Sequence, residues 1–342
     1  ISTDNLIEKL AGTIEFKNVN FTYPDSGIHA LKNISFKVNQ GESIAIIGNT
    51  GAGKSTLIPI TLLEEEWLKG KKIIMLEPRR LAAKTVAMRM ADMLKQEVGE
   101  TVGYRIRFEQ KISKKTKIEV VTEGILTRLI HEDNSLQDIG LIIFDEFHER
   151  SIHADLAMAF TKEIQGVLRQ DLRILVMSAT INMPELALRL NAVEVQSEGR
   201  MYPVEVQYEG DSDWKILPEM VCQVVKKAIK SQDGDVLVFL PGQSEIKNSQ
   251  ELLRRSLTNF KIVPLYGQLP PSKQFAAIMP DNVGKRKVIL ATNIAETSLT
   301  VQGIKIVIDS GFERVAKFNS KSGLSRLETV QISKESADQR KG

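Results

Sequence analysis

The sequence predicts an α/β protein of two tandem parallel-sheet domains, preceded by a short antiparallel β segment. Three observations carry that expectation. A phosphate-loop pattern, G-x-x-x-x-G-K-[ST], is complete at Gly48-Asn49-Thr50-Gly51-Ala52-Gly53-Lys54-Ser55 and lies between an apolar run and a helix-competent stretch. Short apolar runs then alternate with longer amphipathic stretches, the order of strand and crossover helix in a parallel sheet. The alternation pauses at Gly199-Arg200-Met201-Tyr202-Pro203 and resumes without a second phosphate loop. The expected division is 1–40 for the antiparallel segment, 41–200 for the first parallel domain and 201–342 for the second.

Within residues 1–40, stretches 14–19 and 34–38 alternate apolar and polar residues, as half-exposed antiparallel strands do, and Pro24-Asp25-Ser26-Gly27 supplies a turn between them. Residues 43–47 read as a buried strand leading into the phosphate loop, and Thr56 opens a helix. Buried parallel strands follow at 72–76, 117–121, 141–144 and 173–177, with helices at 81–94, 124–130 and 153–168. The second series has strands at 235–240, 262–265, 287–290 and 304–308 and helices at 214–229 and 244–257. Doubly wound sheets carry their active residues at the carboxyl ends of strands. Two such domains with one phosphate loop lead us to expect ATP in the cleft between them.

The 342 residues suffice for about two domains, each with its own core. A net charge of +3 is too small to indicate nucleic acid by itself, so any basic surface must be local. The single cysteine, Cys222, excludes an internal disulfide framework and suits a reducing cytoplasm; its apolar helical surroundings make it a core residue. No apolar run approaches the roughly 18–20 residues that span a bilayer. The chain starts at Ile1 with no signal-peptide pattern and reads as a fragment.

The loop glycines let backbone N–H groups face a phosphate at a helix N-terminus. Gly48 to Thr56 are therefore nucleotide-binding candidates, with Lys54 reaching the β/γ-phosphates and Ser55 holding Mg²⁺. The competing reading is a glycine-rich turn with a surface lysine. About ninety residues on, Asp145-Glu146-Phe147-His148 directly follows an apolar strand. A carboxylate at such a strand end holds Mg²⁺ and its neighbour deprotonates the attacking water, which assigns Asp145 to the metal and Glu146 to the base. The competing reading is an acidic helix N-terminus favoured by the dipole.

Asp145-Glu146-Phe147-His148-Glu149-Arg150 resembles motif II of the DEAH-box superfamily 2 helicases, in the spelling of the bacterial HrpB branch. Other motifs follow in the family's order. Glu77-Pro78-Arg79-Arg80-Leu81-Ala82-Ala83 resembles motif Ia, Thr122 to Arg128 motif Ib, and Ser178-Ala179-Thr180 motif III. Leu240-Pro241-Gly242, Leu265-Tyr266-Gly267 and Ala291 to Ser298 resemble motifs of the second domain.

The resemblance covers about residues 50 to 342 and implies two RecA-like domains that use ATP and Mg²⁺ to move on or unwind RNA, with DNA as the alternative strand. It implies that Arg79, Arg80, Thr122, Thr292 and Asn293 grip the backbone of single-stranded RNA. It also implies that His148, Ser178 and Thr180 couple hydrolysis to domain movement and that Arg89 stacks on adenine, against the alternative of a solvated helix arginine. Residues 318–332 resemble the family's strand-separating hairpin. Two positions depart from the pattern: Met279 lies where an aromatic base partner is expected, and Gln302 where relatives carry an acid. The basic runs 111–117 and 285–287 read as solvated loops.

The amino-terminal residues resemble a different family. Thr13 to Pro24, Ala30 to Phe36 and Gly41 to Gly48 resemble the start of an ABC-transporter nucleotide-binding domain, in which Tyr23 would stack on adenine. Nothing after the phosphate loop continues that pattern, and the expectation is a junction of two genes at the shared loop. At the other end, Gln339-Arg340-Lys341-Gly342 resembles the opening of motif VI, with Gln339 implied as a catalytic contact. The family's following arginines act as fingers worth roughly 10³–10⁵ in turnover, so the sequence as given is expected to bind ATP and hydrolyse it slowly. The leading reading is a cytoplasmic, monomeric RNA-helicase motor core. The alternatives are an ABC-transporter ATPase subunit, which would dimerise at a membrane, and an inactive fusion.

Overall fold

A computed structural model describes residues 14–22, 29–38, 43–48, 54–178, 188–197, 204–211, 213–281, 284–296, 301, 303–319 and 323–341. The chain divides into two compact units, Ile1–Met201 and Tyr202–Gly342.

The first unit is built on an eight-stranded sheet. In chain order its strands are β3 (Ser43–Gly48), β4 (Lys72–Leu76), β5 (Val102–Ile106), β6 (Glu109–Lys111), β7 (Ile118–Val121), β8 (Ile139–Phe144), β9 (Arg173–Ser178) and β10 (Ala192–Ser197). Across the sheet the order is β10-β3-β9-β8-β4-β7-β5-β6, with every pair parallel except β5–β6. Because successive side chains point to opposite faces, each apolar run supplies two cores. Ile73, Met75, Leu141, Ile143, Leu175 and Met177 pack on one side with Ile58 of helix α1 (Lys54–Thr61) and Ala83, Ala87 and Met90 of α2 (Arg80–Met93). Ile74, Leu76, Ile142, Phe144, Ile174 and Val176 pack on the other with Leu126 and Ile130 of α3 (Glu123–Glu132) and Ala157, Met158 and Ile164 of α4 (Ile152–Val167).

Composition masks β5. It carries Arg105, whose Nε lies 2.8 Å from Glu119 Oε2, while Lys72 Nζ donates to Glu119 Oε1 at 2.8 Å. It also carries Gly103, where a Cβ would stand 2.4 Å from the Lys111 carbonyl and 2.9 Å from Ile112 Cγ2, so the hairpin closes only over glycine. The strands expected at 14–19 and 34–38 are longer, β1 (Ile14–Thr22) and β2 (His29–Val38), and pair antiparallel in a sheet of their own. The turn at 24–27 and Tyr23 lie outside the described residues.

The second unit has a four-stranded parallel sheet, β12-β13-β11-β14, from β11 (Asp235–Phe239), β12 (Lys261–Leu265), β13 (Lys287–Ala291) and β14 (Ile304–Asp309). Helices α5 (Leu217–Ser231), α6 (Gln243–Ser256) and α7 (Pro271–Ile278) accompany it. Cys222 is buried in this core, its thiol donating to the Ser249 carbonyl at 3.7 Å, and burial pushes its pKa up to about 11. The hairpin begins earlier than its turn residues indicate, with β15 (Phe312–Asn319) paired to β16 (Leu324–Gln331). Helix α8 (Lys334–Lys341) follows it.

The run at 285–287 is not a solvated loop. Lys287 is 1% exposed and donates to the carbonyls of Ala277 and Met279, satisfying the end of α7. Arg286 lies over the Phe260 ring at 4.9 Å and donates to the Gly234 and Gln232 carbonyls. Free carbonyls at chain bends recruit these cations inward, a demand that sequence spacing does not reveal. The lysines of the other run, 111, 114, 115 and 117, are exposed.

Candidate active site

The carboxyl ends of β3, β4, β8 and β9 carry the candidate residues of the first unit. Residues 49–53 of the phosphate loop lie outside the described residues, whereas Gly48 ends β3 and Lys54, Ser55 and Thr56 form the first turn of α1. Lys54 and Thr56 are buried and Ser55 half-buried. Lys54 Nζ stands 3.7 Å from Glu146 Oε1. Phosphate-loop lysine and candidate base, far apart in sequence, thus meet at the ends of β3 and β8, with β9 between them in the sheet.

The acidic segment is fixed by the ladder below it. Asp145 N–H donates to the Leu76 carbonyl at 3.0 Å, extending the β4–β8 pairing by one step. Glu146 then adopts φ 49° and ψ 36°, a left-handed conformation costing about 1–2 kcal/mol for a residue with a Cβ. Its N–H donates to Asp145 Oδ1 at 2.9 Å. Phe147–Glu149 make a single 3₁₀ turn, anchored by Phe147, which packs edge-on to Phe144 with ring centroids 6.0 Å apart. His148 Nδ1 lies 3.4 Å from Glu146 Oε2.

Burial dominates the electrostatics. It raises the Glu146 carboxyl to about 7; Lys54 opposes the shift, and Asp145 and Glu149 add to it. Burial lowers the His148 pKa. Glu77, which directly follows β4, is pushed well above the carboxylate range by burial and by the facing Asp145 and Glu146.

Two contacts tie this segment to neighbouring helices. Arg79 Nε donates to Glu149 Oε2 at 3.2 Å from the residue preceding α2. Ser151 Oγ donates to Glu123 Oε1 at 2.5 Å and accepts the Ala154 N–H at 3.0 Å, capping α4. Arg80 is exposed at the start of α2, Arg89 is half-buried farther along it, and Thr122 precedes α3. Ser178 is buried at the end of β9, whereas Thr180 lies outside the described residues. Sequence spacing does not single out Glu77, Glu123, Glu149 or Ser151 for these contacts; the one local signal is at Glu77, a charged residue at the end of an apolar run.

In the second unit, Thr292 follows β13 half-buried and Asn293 begins a short 3₁₀ turn, exposed. Gln339 is half-buried on α8 beside Arg340, which is 4% exposed.

The donor set fits Mg²⁺ through hard oxygens. Asp145 Oδ2 is buried without a hydrogen-bond partner among the described residues, and the Ser55 hydroxyl belongs to the same strand-end region. No three His, Cys, Asp or Glu side chains among the described residues converge as a direct ligand cage. Mg²⁺ needs none, since it keeps several waters and takes one or two protein oxygens with substrate phosphates.

Two family models cover most of the chain: DEAD/DEAH box helicase over residues 29–188, and helicase conserved C-terminal domain over 217–342. The chain belongs to the DEAD/DEAH box helicases. It is 47% identical to the ATP-dependent RNA helicase HrpB of Escherichia coli over 295 residues, covering 86% of this chain and 36% of that protein. It is 37% identical to E. coli HrpA, covering 98% of this chain and 26% of HrpA. The crystal structure of the E. coli DEAH/RHA helicase HrpB superposes with a TM-score of 0.79 at 46% identity, covering 88% of this chain and 38% of that one. The chain therefore spans little more than a third of HrpB. Two tandem RecA-like helicase domains account for its two parallel sheets. No helix among the described residues is long and apolar enough to cross a membrane.

Proposed function

We propose that this chain is the motor core of an HrpB-like DEAH-box helicase that couples ATP hydrolysis to movement on single-stranded or structured RNA. The observation that carries the reading is the approach of Lys54 to Glu146 at 3.7 Å, with Asp145 beside them on the strand end. Lys54 binds the β/γ-phosphates, Ser55 and Asp145 hold Mg²⁺, and Glu146 accepts the proton of the attacking water. Mg²⁺ held by Ser55 and Asp145 would supply positive charge against the phosphates. Lys54 neutralises Glu146 electrostatically until phosphate competes for its ammonium, which frees the carboxylate to act as a base. His148 orients Glu146 and, with Ser178, carries the nucleotide state onward. Arg79, Arg80 and Thr122 bind strand phosphates from the first unit, and Thr292 and Asn293 from the second. Arg89 packs on the adenine, and Gln339 belongs to the catalytic set.

ATP turnover measured with and without single-stranded RNA tests the reading. RNA stimulation lost in Lys54→Ala supports it; turnover that depends on neither RNA nor Lys54 overturns it.

For residues 1–28, which precede the helicase family match, we infer an origin outside the helicases. Support comes from their ABC-like residue pattern and from a β1–β2 pair that keeps to a sheet of its own. Amplification of intact genomic DNA across the phosphate loop tests this; separate upstream sequences would show two joined genes.

A further inference from the structure

We propose that Glu77 belongs to the Mg²⁺ site and holds the ion's water shell opposite Asp145. The inference rests on reading Asp145 and Ser55 as the Mg²⁺ side of the nucleotide site, and it adds a residue that phosphate-loop and acidic-motif spacing do not identify.

Strand register brings the two acids together. Leu76 of β4 pairs with Phe144 of β8, so Glu77 and Asp145 are the next positions on adjacent parallel strands. The Glu77 N–H donates to the Val121 carbonyl at 2.9 Å and the Asp145 N–H to the Leu76 carbonyl at 3.0 Å, so both backbones are held by the sheet. Glu77 is 0% exposed, no N–H donor among the described residues reaches its carboxyl oxygens, and the side chain it meets is the Asp145 carboxyl. Asp145 Oδ2 and Glu146 Oε2 likewise lack a donor among the described residues.

A buried carboxylate without donors is costly, and elsewhere on the sheet nearby cations offset that cost. Glu119, also buried on the sheet, is flanked by Lys72 and Arg105, each at 2.8 Å. At the strand ends, by contrast, Lys54 approaches Glu146 at 3.7 Å, and register leaves Glu77 beside Asp145. Such a set is complete with a hydrated divalent cation, whose waters donate hydrogen bonds outward. Since no direct three-residue cage converges among the described residues, the contribution of Glu77 is through water.

The test uses the full chain and a fluorescent ADP analogue, titrated in EDTA and at fixed free Mg²⁺ concentrations. Glu77→Gln keeps the shape and a neutral donor but cannot ionise when the cation binds. The expected result is unchanged affinity in EDTA, with the free Mg²⁺ needed for half of the Mg²⁺-dependent gain raised roughly tenfold, the lower end of outer-shell effects. A Glu77→Gln chain with wild-type Mg²⁺ dependence overturns the inference and makes Glu77 a neutral partner of Asp145. A wild-type chain whose ADP binding ignores Mg²⁺ overturns the underlying site reading itself. If melting in EDTA shows that Glu77→Gln is unfolded, Glu77→Asp serves instead: a raised Mg²⁺ requirement supports the inference and an unaltered one overturns it.

Discussion

Arg340 Nε donates to Glu296 Oε2 at 2.9 Å, joining the last helix of the second unit to the segment that follows β13. The same guanidinium reaches Asp309 at 3.0 Å and Glu313 at 3.8 Å and lies 4.8 Å over the Phe239 ring. Arg340→Ala leaves three carboxylates without their common cation. Breaking a buried pair from one side costs about 3–5 kcal/mol. Hydrogen exchange of second-unit peptides across a urea titration should show that loss, with first-unit peptides unaffected.

Glu146→Gln should lower ATP turnover by roughly 10²–10⁴ while leaving nucleotide affinity within a few-fold, because general-base catalysis is worth about that much. Steady-state turnover beside equilibrium binding checks it. An equal loss in both measurements would mark Glu146 as a binding residue instead.

The raised Glu146 pKa has a stability consequence. Its folded value of about 7 lies above the ordinary carboxyl value of 4.5, so between these two pH values the folded chain holds a proton that the unfolded chain has released. Stability contributed by this group therefore falls as pH rises through that window. Glu146→Gln removes the fall. The nucleotide-free variant should melt higher than wild type at pH 8 and nearly alike at pH 5, a difference of roughly 3 kcal/mol.

Gly103→Ala should destabilise the first unit by about 1–3 kcal/mol or more, the cost of forcing extra volume into a packed site. The added methyl would meet backbone, the Lys111 carbonyl at 2.4 Å, which has no rotamer to give. Denaturant unfolding reads the loss; Gly124→Ala, with nothing within 4 Å of its Cβ position, is the control.

Arg80→Ala should weaken binding to single-stranded RNA of any sequence and lower the salt dependence by about one phosphate contact. Titrations at several salt concentrations check both. Loss of affinity for one sequence alone would contradict a backbone contact.

Much of the parallel-sheet pattern was legible because a strand buried on both faces must be a nearly unbroken apolar run, as at 72–76 and 141–144. β5 was not legible, since the charge of Arg105 is neutralised by Glu119 on the next strand, a partner assigned by sheet order. Within the site, Lys54 and Asp145-Glu146 could be read because phosphate loops and strand-end acids have local patterns. The contacts of Glu77 and Arg340 could not. One is defined by the register of β4 against β8, the other by where α8 lands beside β14.

The left-handed turn at Glu146 reverses the chain at once after β8. Lys54 approaches one end of the resulting short segment, and Arg79 holds the other through Glu149. Segment 145–149 is therefore a stiff crank between two handles. A phosphate drawn to Lys54 and a strand drawn to Arg79 would load the same piece of backbone.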